Sequence, residues 1–242
     1  MIELKNVKKS FANNFKPVLD SIDLTVNSGD FCVLIGANGS GKSTLLKVIS
    51  GKYSCDSGTV ICKDSISQVE QDVNAGCIPE MTLLENIALS MSTRPKLAFY
   101  SRNAKEIIEK IKSLNIGLEE YLNQPLKTLS GGQRQTIATL AAITSGRKIL
   151  LLDEHTSALD PKMQALLMEY TAKLVTELGL TTLMITHKMD DAIKYGNRLI
   201  MLHQGKIVLD VAGSDKRSLK TTDLLQLFHK YEDETLITEG SI

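Results

Sequence analysis

The chain has 242 residues, enough for one large α/β domain or for a domain carrying an inserted subdomain. Apolar residues make up 43% and charged residues 23%, the balance of a globular protein with ample material for a core. Lysine plus arginine and aspartate plus glutamate each number 28, and a net charge near zero argues against a generally basic nucleic-acid binder.

In chain order, Ile2, Leu4 and Val7 give one apolar set and Leu19, Ile22, Leu24 and Val26 another, both near the period of two that marks short strands. "VNSGD" (Val26–Asp30) reads as a turn. "FCVLI" (Phe31–Ile35) is a continuous apolar run, as in a strand buried on both faces. "KSTLLKVISG" (Lys42–Gly51) has helical spacing and a glycine stop. The middle changes character: Thr82–Met91, Asn103–Ile116 and Ser130–Gly146 all carry helical spacing and read as a helical insertion from about Asp72 to Gly146. Strand–helix alternation then resumes, with "KILLLD" a strand, Pro161–Leu178 a helix and "TTLMITH" a strand. "NRLIMLHQGKIVLD" reads as a hairpin turning at Gln204 and Gly205. One short helix is expected in the tail from Asp223, followed by a polar end that frays. Such alternation predicts an α/β fold with a mainly parallel sheet.

No apolar stretch approaches the about 20 residues of a membrane-spanning helix, and "MIELKNVKKSF" lacks the apolar core of a secretory signal. The expected location is cytoplasmic. The four cysteines form no CxxC pair, so they read as reduced, mostly buried small hydrophobes.

"GANGSGKST" (Gly36–Thr44) matches GxxxxGK[ST] between an apolar strand and a helix. Gly36, Gly39 and Gly41 let the backbone curl around Ala37, Asn38 and Ser40, turning successive N–H groups toward a phosphate. The helix terminus behind them favours an anion. Lys42 offers a point charge to β- and γ-phosphates, and the Ser43 hydroxyl suits Mg²⁺. An acid at the C-terminal end of a buried strand completes such a site. "KILLLD" supplies Asp153 as a Mg²⁺ ligand through water, and Glu154 follows, suited to polarise an attacking water. "LSGGQRQ" (Leu129–Gln135) places Ser130 as a helix N-cap, with two glycines exposing backbone N–H groups at the helix start.

In GANGSGKST, LSGGQ, LLLDE, SALD and a later histidine, taken in that order and spacing, the chain resembles the nucleotide-binding subunit of ATP-binding cassette (ABC) transporters. The resemblance covers nearly the whole chain, and LSGGQ is its most diagnostic element. It implies a P-loop NTPase with a RecA-like core sheet, an N-terminal antiparallel β subdomain and an inserted α-helical subdomain. The chain would then be one domain over 1–242, with 1–71 and 147–242 as the core and β subdomain and 72–146 as the helical subdomain carrying the signature.

The same resemblance implies the cofactors ATP and Mg²⁺ and a head-to-tail homodimer. Each ATP would lie between one subunit's P-loop and the other's Ser130, Gly131, Gly132 and Gln133. Gln71 resembles the glutamine that touches Mg²⁺ and senses the membrane partner, with Gln68 as the near alternative. Asp160 resembles the aspartate that works across the dimer. His187 resembles the histidine that contacts the γ-phosphate. Phe11 resembles the aromatic that stacks on adenine, with Phe15 as competitor. The implied partners are transmembrane permease subunits and a substrate-binding protein, with no nucleic acid. The implied location is peripheral, on the inner membrane face.

A closer likeness, in "DEHTSALDP", "KYGNRLIML" and "GKIVLDV", is to a bacterial subgroup with members linked to amino-acid import. A soluble ABC ATPase, such as an iron–sulfur assembly engine, is the alternative that shares every ATP motif. His155 stands where most of the family has proline. Neighbours in an extended segment point to opposite sides, so with Glu154 toward the γ-phosphate His155 is expected to face away and to serve structure.

Overall fold

The computed structural model describes residues 1–12, 16–72, 77–90, 108–109, 112 and 118–239. Phe15 and most of the helix expected over 103–116 lie outside the described residues. The strands in chain order are β1 (Ile2–Lys9), β2 (Leu19–Val26), β3 (Phe31–Ile35), β4 (Ser57–Cys62), β5 (Ile66–Val69), β6 (Ile149–Asp153), β7 (Thr181–Ile185), β8 (Arg198–His203) and β9 (Lys206–Ala212). The described α-helices are α1 (Lys42–Ile49), α2 (Leu83–Ser90), α3 (Gly131–Thr144), α4 (Pro161–Glu177), α5 (Met189–Lys194), α6 (Gly213–Ser218) and α7 (Thr221–Glu239). By internal contacts the chain divides into two units, Met1–Asp64 with Leu180–Ile242, and Ser65–Gly179.

In the first unit, β1 lies between β2 and β4 in an antiparallel sheet, with Leu4 opposite both Leu24 and Val60. The alternating pattern of β2 holds: Leu19, Ile22, Leu24 and Val26 are buried while Ser21, Asp23 and Thr25 are exposed. Strand β3 runs parallel to both β7 and β8, with Leu34 beside Ile185 and Ile200. Parallel neighbours on both sides explain its unbroken apolar run, and all five of its residues are buried. Strands β8 and β9 form the expected hairpin. Gln204 and Gly205 both take positive φ (42° and 74°), as a two-residue turn matched to strand twist requires.

The C-terminal tail departs from expectation. One 19-residue helix, α7, replaces the short one. The Asp223 carboxylate accepts the Lys220 N–H at 2.9 Å at its start. Leu224 is fully buried, and the Tyr231 ring, two turns on, packs 5.1 Å from His203. That spacing keeps one face anchored, while Leu225, Gln226, Leu227 and Lys230 between them are good helix formers.

In the second unit, β5 and β6 pair in parallel, Gln68 beside Leu151. Helix α2 starts on a reciprocal cap in which Glu85 accepts the Thr82 N–H and Thr82 Oγ1 accepts the Glu85 N–H. Leu83, Ile87, Leu118, Leu126, Ile137 and Leu140 form the apolar cluster that joins α2 to α3, with Tyr170 of α4 against it. Among the cysteines only Cys32 is fully buried; the other three are half-exposed, since they lie on edge or loop positions.

Candidate functional site

The glycine-rich segment leaves β3 and enters α1 in the first unit. Its inner wall is backbone. The Gly205 N–H donates to the Ser40 carbonyl at 3.0 Å. Gly41 has φ 105°, and a Cβ there would sit 2.6 Å from the Val18 carbonyl oxygen. A Cβ on Gly36 would run into the Leu202 carbonyl. These two glycines let the loop seat against β2 and β8, a packing that a side chain would prevent. Ala37, Asn38 and Gly39 form the accessible rim, while Ser43 and Thr44 are half-buried. The Lys42 side chain is 7% exposed and folds back along the loop, donating from Nζ to Gly36 O at 2.7 Å and Ala37 O at 2.9 Å. An ammonium held inside a ring of glycine-rich backbone is placed for an anion at the start of α1.

His187 lies in the same unit, just past β7, and is exposed. Strands β3 and β7 are parallel neighbours, so the glycine-rich loop and His187 leave from the same, C-terminal end of their strands. The helix that follows His187 is held from its far end. The Lys216 ammonium donates to the carbonyls of Ile193 (3.0 Å), Tyr195 (2.6 Å) and Gly196 (3.0 Å). Burial pushes the Lys216 pKa down, and the three carbonyls at the α5 C-terminus supply compensating hydrogen bonds. Phe11 is 37% exposed, with Tyr53 edge-on at 5.4 Å and the Lys9 ammonium 5.5 Å over its ring.

The second unit carries the acids. Every residue of β6 is buried, and Asp153 at its end is 5% exposed. Glu154 then takes φ 47°, a left-handed backbone that an L side chain rarely adopts. It is half-buried, and Gln71 Nε2 donates to its Oε2 at 3.4 Å. Gln68 does not share that placement: both its amide atoms are buried without a hydrogen-bond partner.

The expectation about His155 needs a correction of cause. The segment is not extended at Glu154, which takes φ 47°, so strand alternation does not decide where His155 points. His155 is 1% exposed, its Nε2 has no partner, and burial pushes its pKa down to about 4. The imidazole is therefore neutral near pH 7.

Asp160 caps α4, accepting the Lys162 and Met163 N–H groups at 3.1 Å each, with Pro161 at the first helical position. Ser130 caps α3 in a full capping box: its Oγ accepts the Gln133 N–H at 3.2 Å, and Gln133 Oε1 accepts the Ser130 N–H at 2.9 Å. Gly131 has open space where a Cβ would stand, whereas Gly132 faces Leu159 and Ala158. Within this unit the structure thus brings together Gln71 and Glu154, and it sets the first turn of α3 on the Ala158–Leu159 backbone.

Sequence reasoning passed over Gln135, whose Oε1 accepts the Ala158 N–H at 3.3 Å. The available signal was a glutamine whose neighbours on the same helix face, three, four and seven residues on, are Ala138, Thr139 and Ala142.

No metal-holding group of three or more His, Cys, Asp or Glu occurs among the described residues. Mg²⁺ does not need one, since it binds through one or two carboxylates plus phosphate and water. Oxygen donors of the kind that ion takes are Ser43 in the first unit and, in the second, Gln71 and Asp153. No described helix is long and apolar enough to cross a membrane.

A family model described as ABC transporter matches residues 19–157. The tyrosine transport ATP-binding protein of Clostridioides difficile strain R20291 is 36% identical, over 94% of this chain and 98% of that protein. The spermidine/putrescine import ATP-binding protein PotA of Haemophilus influenzae is 34% identical over 87% of this chain, which spans 57% of its length. Among solved structures, a dimeric post-hydrolysis state of the ATP-binding cassette MJ0796, bound to ADP and Pi, matches 88% of this chain and 98% of that one, at 29% identity and a TM-score of 0.75.

Proposed function

Because the chain belongs to the ABC transporter family of ATP-binding cassettes, we propose that it is the motor subunit of an importer and that its cargo is an amino acid. It is an ATP-binding protein and an ATPase. The observation that carries the mechanistic reading is the end of β6, where a fully buried strand delivers Asp153 and Glu154, and Gln71 meets Glu154 at 3.4 Å.

The proposed roles follow the chemistry of each group. Lys42 and the N–H groups of Gly36–Thr44 hold the β- and γ-phosphates, and Phe11 stacks on adenine. Ser43, Gln71 and Asp153 would hold Mg²⁺, which when bound neutralises phosphate charge and orients it. Glu154 orients and polarises the attacking water, and His187 contacts the γ-phosphate. Ser130, Gly131, Gly132 and Gln133 grip the ATP of a second copy, and Asp160 works across that dimer while capping its own helix. ATP favours the closed dimer because each γ-phosphate gives the opposite signature turn something to bind; hydrolysis removes that preference. The permease couples to this cycle at the cytoplasmic membrane face.

The amino-acid reading is supported by the relative named for tyrosine transport, matched over nearly the full length of both chains. The polyamine reading has support over only 57% of its relative. Uptake of labelled tyrosine and of labelled spermidine by vesicles holding the chain with a permease that co-purifies with it separates the two. ATP-dependent tyrosine uptake is expected. Spermidine uptake alone overturns the cargo, and co-purification with a soluble scaffold in place of a permease overturns transport altogether.

A further inference from the structure

The turn that begins at Glu154 is tied to two helices of its own unit. Gln164, in α4, donates from Nε2 to the Thr156 carbonyl at 2.9 Å. Gln135, in α3, accepts the Ala158 N–H on Oε1 at 3.3 Å. Gly132, one turn earlier in α3, lies so close to the same segment that a Cβ would stand 3.0 Å from Leu159 Cδ2 and 3.3 Å from Ala158 O. Within the turn itself, the Ser157 N–H donates back to the Glu154 carbonyl at 3.0 Å.

Gln135 is an unusual choice for this position. It has no exposed surface, and its Nε2 has no hydrogen-bond partner. It lines a cavity of about 170 Å³ together with Gln68 and Ala138. A buried amide using one of its two ends adds little stability, and an apolar side chain of the same volume would serve the core as well. The end that is used accepts a backbone N–H of the Glu154 turn, that of Ala158, and so links the signature helix to it.

We propose that Gln135 is a positioning residue for Glu154, hanging the turn that carries the carboxylate from the helix that begins at Ser130. This rests on the assignment of Glu154 as the water-orienting acid. Gln135 is two residues past the Ser130–Gln133 turn assigned to the partner copy's nucleotide. A shift of α3 on engaging that nucleotide is then passed, inside one subunit, to the acid that serves the subunit's own ATP. The two sites of a dimer become coupled through one amide. Gln164 is the second anchor of the same turn.

The test is Gln135→Met in the full chain, which keeps length and burial and removes the acceptor. Steady-state ATPase kinetics should show kcat down about tenfold, as a small misplacement of a reacting group gives. Affinity for a fluorescent ATP analogue should stay within about twofold, the Hill coefficient for ATP should fall toward 1, and Tm should hold within about 3 °C. Gln164→Met should show the same split with a smaller fall, and it carries the test if Gln135→Met does not fold. An unchanged kcat and Hill coefficient in the folded variant overturns the proposal, as does a fall in kcat matched by a collapse of Tm. Glu154→Gln, run alongside, separates the two levels. If it loses turnover while Gln135→Met does not, only the positioning role fails. If it keeps turnover, the assignment of the acid fails first.

Discussion

Strands β3 and β6 are each five residues long and buried at every position, and each ends in a loop assigned to the nucleotide. The two loops keep their shapes by different means. After Ile35, backbone packs on backbone: Gly36 against the Leu202 carbonyl, Gly41 against that of Val18, Ser40 O on the Gly205 N–H. After Asp153 the turn begins on a non-glycine residue with φ 47°, and side chains hold it: Gln71 on Glu154, Gln164 on Thr156, Gln135 on Ala158. A loop built from local residue types is rigid by sterics. A loop hung on three glutamines from three separate segments is placed by its surroundings and shifts when they shift. The first suits a fixed phosphate cradle, the second an acid whose position reports a conformational state.

Perturbing each loop tests this contrast. The largest effect is expected at Gly41→Ala, which adds a Cβ 2.6 Å from a carbonyl oxygen at φ 105°. Stability should fall by about 3 kcal/mol or more, or roughly 10 °C in Tm, with nucleotide affinity lost as well. Lys42→Ala should spare the fold better and weaken ATP binding about tenfold or more, read by fluorescent-nucleotide titration.

His155 gives the next effect, one of pH. Its folded pKa is about 4, below its ordinary 6.5, so the unfolded chain binds the extra proton between those values. Stability should therefore fall as pH drops from 6.5 to 4 and level off below, by about 3 kcal/mol in all. Denaturant unfolding at pH 7 and 4.5 should show this loss in the wild type and little of it in His155→Phe. An equal loss in both variants would place the acid sensitivity elsewhere.

Ser130→Ala breaks the capping box and should cost about 1 kcal/mol. Because the signature turn loses its shape, dimer formation should suffer more than the melting temperature does. Smallest is Glu154→Gly, which relieves a left-handed backbone and should raise stability by less than about 1 kcal/mol while abolishing turnover. A clear drop in Tm there would show that the turn depends on the carboxylate.

How much was legible in the sequence follows the same division. Strands β3 and β6, helix α1 and the β8–β9 hairpin fall where residue type and period place them, because unbroken apolar runs and glycine punctuation are local signals. Strand β4 is invisible to that reading: its residues are exposed or half-buried, and it exists because β1 offers its edge. Helix α7 outran its expected length because its anchor, Tyr231 on His203, lies outside any local window. At the site, Lys42, Asp153 and Glu154 were readable from spacing. The left-handed φ at Glu154 and the part played by Gln135 were not, since both depend on contacts across sequence separation. His155 was set aside as an acid–base group by an argument from extended geometry that the turn, with Glu154 at φ 47°, does not have.

The central claim is that Glu154 orients the water that attacks ATP. Its most direct test is Glu154→Gln, assayed for steady-state ATP turnover, nucleotide affinity and oligomeric state with ATP. The account predicts turnover down about a hundredfold or more, nucleotide affinity retained, and a dimer that persists in ATP. Turnover at the wild-type rate in Glu154→Gln would contradict it.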